Sequence, residues 1–190
     1  MSEAAAIALR DKLNLEQLDL DLFRAQNEAT LGDRLFGGQV LAQALAAAQE
    51  TIDERPCHSL HGYFLRPGKV DIPVIFQVER IRDGKSFSTR RIMGIQNGQA
   101  IFFMTASFQT PEPGFEHQDV MPDVPAPESV QTFSEYIREH ASHFPQALQE
   151  KFLAEKPIEV RPIQQYNWTQ PEKMPAKCQM WIKANGRLAD

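Results

Sequence analysis

The stretch LFGGQVLAQALAAAQE at residues 35–50 decides the fold. Its apolar positions follow helical spacing, and alanine is the strongest helix former, so the stretch predicts a helix over 37–50. Most of the circumference of this helix is small and apolar, with Gln39 and Gln43 as a narrow polar stripe. Such a helix needs close packing on several sides, and a curved sheet of long strands would supply it.

The pair Gly37 and Gly38 at the start of this helix has two open interpretations. One is packing, since glycine lets another backbone approach closely. The other adds a helix-end site, because free N–H groups and the positive end of the helix dipole stabilise an anion or a developing oxyanion. The pair lacks the GxxxxGK[ST] pattern of a phosphate-binding loop and the third glycine of a dinucleotide-binding motif. The apolar helix that follows disfavours the GGQ loop of peptide-chain release factors.

Composition limits the classes of partner. The 190-residue chain has a formal net charge of −5, which argues against nucleic acid as the main partner. No apolar stretch approaches the roughly 20 residues of a membrane-spanning helix, and the N-terminus lacks the basic region of a signal peptide. Cys57 and Cys178 lie far apart without a CxxC motif, so reduced thiols are expected. These features together predict a cytoplasmic protein.

Hairpin-linked strands are predicted after the helix. Pro67-Gly68, Asp83-Gly84 and Asn97-Gly98 are turn dipeptides, and Asn-Gly is the strongest hairpin signal among them. The segments around these turns predict strands over 58–66, 72–82, 86–96 and 99–109. Alternating leucine and aspartate also predicts one strand over 18–26. One helix with several hairpin-linked strands implies an antiparallel sheet packed on that helix, an α+β fold.

The composition changes at Pro111, where a proline-rich segment predicts an extended linker. Residues 131–154 then predict two short helices broken at Pro145, and 156–164 and 178–184 predict two further strands. A short helix is also predicted near the N-terminus, over 4–13. Two strands cannot bury a core of their own, so they either complete the first sheet or begin a further unit.

The segment HSLH contains two histidines, His58 and His61. Residues three apart on a regular strand point to opposite faces, so these two are not expected to bind one metal ion. The same alternation places His58 on a face with Leu60, Gly62 and Phe64. His58 has two interpretations, an acid–base histidine or a hydrogen-bonded structural histidine.

Positive charge is concentrated in the predicted sheet. The two interpretations are solvated strand edges and turns, or a site for a phosphate-bearing ligand. The residues concerned are Arg66, Lys69, Arg80, Arg82, Lys85, Arg90 and Arg91.

Five blocks occur in order along the chain: LFRAQNEATLGDRLFGGQVLAQAL, HSLHGYFLRPG, RDGKSFSTRRIMGIQNGQAIFFMTASFQ, GFEHQ and PIEVRP. Together they resemble the type II acyl-CoA thioesterases, which are the bacterial TesB-like enzymes and their peroxisomal relatives. The resemblance runs from about residue 12 to the last residues. It implies a double hot-dog fold, in which each hot-dog unit is a long helix wrapped by a curved antiparallel sheet.

The resemblance implies an N-terminal hot-dog domain over 12–112, a linker with two short helices over 113–155, and the first strands of an incomplete second hot-dog over 156–190. It also implies hydrolysis of fatty acyl-CoA to free fatty acid and coenzyme A, by direct attack of water, with no cofactor and no metal. The family's polar trio of Asp, Ser or Thr, and Gln belongs to the second hot-dog. Its positions are expected beyond the end of this chain, and Asp190 is not assigned to it.

The candidate catalytic residue is therefore His58, and the candidate substrate-binding residues are Gly37, Gly38, Gln39, Tyr63 and Arg66. Two alternatives to the thioesterase remain open, a non-catalytic acyl-CoA-binding module and an inactive fragment. An unpaired sheet edge promotes association, so we also expect a homo-oligomer formed through that edge.

Overall fold

A computed structural model describes residues 3–27, 34–154, 156–164 and 172–186. The chain forms two units, one over Arg10–Glu116 and one that combines Met1–Leu9 with His117–Asp190. Asp190 itself lies outside the described residues. In the described part of the chain, no helix is long and apolar enough to cross a membrane.

The first unit is built from one long helix and a six-stranded antiparallel sheet in the order β1-β2-β4-β5-β6-β3. The helices predicted over 4–13 and 37–50 and the four strands that follow are confirmed, but the hairpin expected at Pro67-Gly68 is not, because the strand before it pairs with the last strand of this unit in chain order and not with the strand after it. The elements up to the end of this unit are α1 (Glu3–Leu13), β1 (Glu16–Asp19), β2 (Leu22–Ala25), α2 (Gly37–Gln49), β3 (Cys57–Phe64), β4 (Val74–Asp83), β5 (Phe87–Gln96) and β6 (Gln99–Gln109).

One face of α2 is buried in the core of this unit. Its buried positions include Ala44, Ala47 and Ala48, all without solvent exposure. They share a core cluster with large sheet residues such as Phe76 and Met104. Because alanine side chains are short, the strands can approach the helix closely. A single helix wrapped by an antiparallel sheet is the predicted hot-dog arrangement.

The hairpin between β5 and β6 uses the predicted Asn-Gly turn. Asn97 has φ of 48° and Gly98 has φ of 72°. Two successive positive φ values are what a type I′ turn requires, and asparagine and glycine tolerate them best. The turn therefore sets the register in which Gln96 pairs with Gln99.

The prediction of one strand over 18–26 is wrong, because the chain reverses in the middle of this segment. β1 and β2 form an antiparallel hairpin, with Asp21 at φ of 58° in the turn. The Asp19 carboxylate accepts the Leu20 N–H at 2.7 Å, which stabilises the turn locally. The Asp21 carboxylate binds the Arg80 guanidinium of the neighbouring strand β4. Aspartate fits a turn of this kind, and it also fits the polar positions of an alternating strand. The alternation of leucine and aspartate therefore concealed the turn.

Arg90 on β5 is a charged residue in the core, with 1 % of its surface exposed. Its Nε donates to Thr51 Oγ1 at 2.8 Å, and its Nη2 donates to the Thr51 carbonyl at 3.0 Å. Its Nη1 donates to the Arg82 carbonyl at 3.0 Å, and its Nη2 also donates to the Asp83 carboxylate at 2.7 Å. Since Thr51 follows the end of α2, Arg90 ties that end to the β4–β5 hairpin.

The second unit contains two short helices and a two-stranded antiparallel sheet, as the sequence predicts. The helices are separated at Pro145. The elements are α3 (Phe133–Glu139), α4 (Gln146–Leu153), β7 (Ile158–Pro162) and β8 (Met180–Ala184), with 3₁₀ turns at Pro127–Ser129 and Ala141–His143.

Two side chains of the β7–β8 hairpin hold the end of the proline-rich linker. Arg161 donates from Nη1 to the carbonyls of Pro127 and Val130, both at 2.9 Å. Trp181 donates from Nε1 to the Pro125 carbonyl at 2.9 Å. These bonds satisfy linker carbonyls that have no strand partner, so this part of the linker belongs to the second unit.

Candidate functional site

An open cleft of about 380 Å³ lies at the start of α2 in the first unit. It is bounded by the first turn of the helix, the end of β3, the turn after β3 and the start of β6. The lining residues are Arg34, Leu35, Gly37, Val40, Phe64, Leu65, Arg66, Pro67, Gly68 and Ile101.

Backbone hydrogen bonds join the segments that form the cleft. The Leu35 N–H donates to the Gly68 carbonyl at 2.9 Å, and Arg34 forms an isolated antiparallel bridge with Lys69. The buried side chain of Gln96 fixes Lys69 from behind. Its Oε1 accepts the Lys69 N–H and its Nε2 donates to the Lys69 carbonyl, each at 2.9 Å. The position of Arg34 beside the turn is therefore determined by paired backbone.

The interior of the cleft is apolar and closely packed. Val40 and Ile101 are 3 % and 5 % exposed, so the inner side of the cleft consists of well-packed apolar side chains. A Cβ atom at Gly68 would lie 2.8 Å from Leu35 Cδ1 and 3.0 Å from Ile101 Cδ1. A larger residue at Gly68 would therefore have to displace the ends of these two side chains.

Arg34 and Arg66 are the two charged residues in the otherwise apolar lining of the cleft. Arg66 Nη1 donates to the Ala100 carbonyl at 2.7 Å, which fixes the direction of its side chain. Neither arginine forms a salt bridge with any residue that the structure describes. A guanidinium carries five N–H donors, so most of the donors of Arg66 stay available to a ligand.

The glycine pair at the helix start lies under aromatic rings. A Cβ at Gly37 would lie 2.9 Å from Phe64 Cζ, and one at Gly38 would lie 2.5 Å from Phe36 Cε1. A larger residue at either position would have to displace an aromatic ring, which favours the packing interpretation, and Gly37 additionally lines the cleft. Gln39, one residue further, has a buried Nε2 without a hydrogen-bond partner in the described residues.

His58 lies on the outer face of the sheet, which points away from α2. The predicted alternation of β3 is therefore wrong at this residue. The register shifts between Cys57 and Ser59, so a β-bulge places an extra residue there. His58 Nε2 lies 2.8 Å from Ser107 Oγ, and Ser107 alternates with buried Phe108 on β6. The imidazole therefore faces away from α2.

His61 and Tyr63 lie on this outer face too, with their rings 4.8 Å apart. The Tyr63 ring stacks on Phe103 at 6.5 Å. The two histidines are thus on one face, contrary to the prediction. Within the described residues, however, no group of three or more His, Cys, Asp or Glu side chains could hold a metal ion.

The predicted basic cluster is dispersed over the sheet. Arg80 pairs with Asp21, and Arg91 pairs with Glu79. Arg66 is the member of that set found in the lining of the cleft. The structure thus brings Gly37 and Arg66 together and leaves His58 and Tyr63 apart from them.

Sequence reasoning missed Arg34, Phe64 and Ile101 as cleft residues. Phe64 could have been found, since strict alternation from Gly62 places it on the inner face. No local sequence pattern marks Arg34 or Ile101, because each becomes part of the lining only when segments far apart in the sequence pair.

The family model for the acyl-CoA thioesterase N-terminal domain matches residues 25–109. The chain is 43 % identical to acyl-CoA thioesterase 2 of Haemophilus influenzae over 175 residues, which cover 92 % of this chain and 61 % of the relative. A solved acyl-CoA thioesterase II, TesB2, from Mycobacterium marinum superposes with a TM-score of 0.71 at 36 % identity, covering 96 % of this chain and 62 % of that one.

A solved protein of unknown function with a hot-dog fold, from Alicyclobacillus acidocaldarius, superposes with a TM-score of 0.73 at 25 % identity, covering 94 % of this chain and 62 % of that one. The chain spans about three fifths of the length of these similar proteins. The blocks quoted above, the wrapped helix and these matches agree with one another. Residues 25–109 belong to the family of acyl-CoA thioesterase N-terminal domains, and over nearly its whole length the chain is similar to the type II, TesB-like acyl-CoA thioesterases.

Proposed function

We propose that this chain acts in the hydrolysis of fatty acyl-CoA to free fatty acid and coenzyme A. The observation that carries the proposal is the apolar cleft that opens at the start of α2 between Gly37 and Arg66. An apolar cleft with a few polar groups is the usual form of a small-molecule site. An acyl chain would lie in the cleft, and its thioester would lie at the helix start.

The helix start offers donors for the thioester oxygen. The Gln39 and Val40 N–H groups donate to the Phe36 carbonyl. The N–H groups of Gly37 and Gly38 precede them in the first turn, where backbone donors have no intrahelical partner. When water attacks the thioester carbonyl, negative charge develops on its oxygen, and the positive end of the helix stabilises that charge. We therefore keep Gly37 and Gly38 in the proposed binding site for their backbone donors, and Gln39 for its buried side-chain Nε2, which has no partner in the described residues.

A second candidate function is the binding of acyl-CoA without turnover. The observation that favours it is the chemistry of the described lining, which contains no carboxylate, histidine, hydroxyl or thiol side chain. Hydrolysis by water needs a group that accepts its proton. In this second function the cleft retains the acyl group, and the chemistry belongs to groups outside the described lining.

Thiol release from dodecanoyl-CoA, followed with a thiol-specific dye, distinguishes the two functions. A thioesterase releases coenzyme A at a rate proportional to protein concentration, whereas a binding module shows saturable binding without release. The proposal does not use His58 or Tyr63, because both lie on the outer face of the sheet. We therefore expect His58→Ala to leave release and binding unchanged, and a loss of release in this variant would return His58 to the site.

We also propose that two copies of the chain associate through β3. This strand is the last in the sheet order, and its exposed apolar residues include Leu60, Tyr63 and Phe64. An edge strand with apolar side chains is prone to pair with another strand. Light scattering should give the mass of a dimer, and Leu60→Lys should shift it to a monomer. Ile81→Lys, a change at a similarly exposed residue of β4, is the control that should leave the dimer intact.

A cytoplasmic location is part of the same proposal. Cys57 and Cys178 are free thiols in the structure. Free thiols are typical of proteins in a reducing compartment, which supports this location.

A further inference from the structure

We propose that the cleft binds the fatty acid itself, with the chain among the apolar residues and the carboxylate between Arg34 and Arg66. This inference rests on the proposed function, since fatty acid is a product of acyl-CoA hydrolysis. It assigns to the two arginines a ligand group that the thioester does not carry.

The first argument concerns charge. The chain as a whole is acidic, with a formal net charge of −5. Arg34 and Arg66 nevertheless line one apolar cleft, and no described carboxylate neutralises either of them. Two cationic side chains in one lining repel each other, and an anion bound in the cleft offsets this repulsion. The site is therefore complementary to an anion.

The second argument concerns where the anion must lie relative to the apolar chain. Arg34 and Arg66 belong to the same lining as Leu35, Val40 and Ile101. A fatty acid carries its carboxylate directly on the end of the alkyl chain. In acyl-CoA the phosphates are separated from the acyl chain by the long pantetheine arm. A charge that adjoins the apolar wall therefore fits the carboxylate better than a phosphate.

The third argument concerns rigidity. Arg66 is held by the Ala100 carbonyl, and its backbone N–H donates to the Ile101 carbonyl at 3.2 Å. The backbone at Arg34 is held by its bridge to Lys69, which Gln96 fixes in turn. A charged group on a fixed backbone loses less entropy on binding than one on a mobile loop. The cleft is thus organised before the ligand arrives.

The test is isothermal titration of the full chain with dodecanoate and, separately, with dodecanol, whose head group is neutral. The double variant Arg34→Gln/Arg66→Gln should bind dodecanoate at least about tenfold more weakly, because it loses charge-assisted hydrogen bonds. Its affinity for dodecanol should stay that of the wild type. The matched control Arg24→Gln/Arg91→Gln removes the same two charges elsewhere on the sheet and should retain full dodecanoate affinity.

The chain length supplies a second measurement that does not depend on any variant. From hexanoate to decanoate, affinity should rise by about fourfold for each added methylene group, because each one is buried in the cleft. Equal dodecanoate affinity in the wild type and the cleft variant would overturn the inference. So would arginine-dependent binding of coenzyme A alone without binding of dodecanoate, which would assign the arginines to phosphate. Thiol release is measured separately. A protein that binds dodecanoate but releases no thiol would contradict the proposed hydrolysis and would still support the fatty-acid site.

Discussion

Replacing Arg90 with alanine should lower the free energy of unfolding by about 3–5 kcal/mol, because backbone carbonyls lose their donors and a cavity opens in the core. Arg90 is buried, and five of its hydrogen bonds reach Thr51, Arg82, Thr89 and Asp83. Alanine leaves the Thr51 and Arg82 carbonyls without their donors inside the protein, and it opens a cavity the size of a guanidinium. Urea unfolding followed by far-UV circular dichroism measures the loss.

Arg91 is the matched control, since it is the next residue on the same strand. It points to the other face, where its guanidinium pairs with Glu79 and both side chains are 51 % exposed. Exposed ion pairs contribute at most about 1 kcal/mol, so Arg91→Ala should be nearly neutral. Similar losses in the two variants would show that Arg90 does not connect the helix end to the hairpin.

The carboxylate partner of Arg90 has a smaller role that depends on pH. The hydrogen bond from Arg90 lowers the pKa of Asp83 below its ordinary value. A depressed pKa stabilises the folded state above the unfolded pKa of about 4, and this contribution disappears as the pH falls through the folded pKa. The stability difference between wild type and Asp83→Asn should therefore be constant near neutrality and shrink in acid. Because the Asp83 side chain is 52 % exposed, this difference should be well below that for Arg90→Ala.

The sequence was sufficient where local chemistry determines structure. The alanine-rich helix, the Asn97-Gly98 turn and the break at Pro145 were predicted, because each depends on neighbours within a few residues. The failures occurred where one residue changes the register. The β-bulge at His58 places the His58 side chain on the other face of the sheet from the one that alternation predicts. No pattern of residues in the sequence marks this bulge. The turn at Asp21 was hidden by the same alternation that predicts a strand.

The candidate site was predicted only in part, for a related reason. Gly37 and Arg66 were found because each belongs to a recognisable block of sequence. Their partner Arg34 enters the cleft only through the bridge to Lys69, a pairing between segments far apart in the chain. Such pairing depends on the whole sheet, which is why the sequence did not reveal it.

Phe102 occupies the centre of the first unit, and two glycines make room for it. A Cβ at Gly62 would lie 2.8 Å from Phe102 Cζ, and a Cβ at Gly94 would lie 3.3 Å from Phe102 Cβ. The Phe102 ring is fully buried and lies 5.0 Å from the ring of Phe64, which lines the cleft. The neighbouring strands have no side chain at these positions that could fill the space of the ring.

Phe102→Ala should therefore cost about 5 kcal/mol of unfolding free energy, at the upper end of the range for core phenylalanines, because the neighbouring strands cannot fill the cavity. Phe103→Ala, one residue along β6 on the outer face, removes a half-buried ring and should cost roughly 1 kcal/mol. Thermal and urea unfolding of the two variants measure the contrast. Since Phe102 supports the cleft wall through Phe64, the weakened variant should also bind dodecanoate less tightly, whereas Phe103→Ala should bind it normally. If the Phe64 ring instead moved inward and filled the cavity, Phe102→Ala would keep most of its stability but would still bind dodecanoate less tightly. That result would contradict the predicted loss of stability, and the reduced affinity would still show that Phe102 supports the cleft.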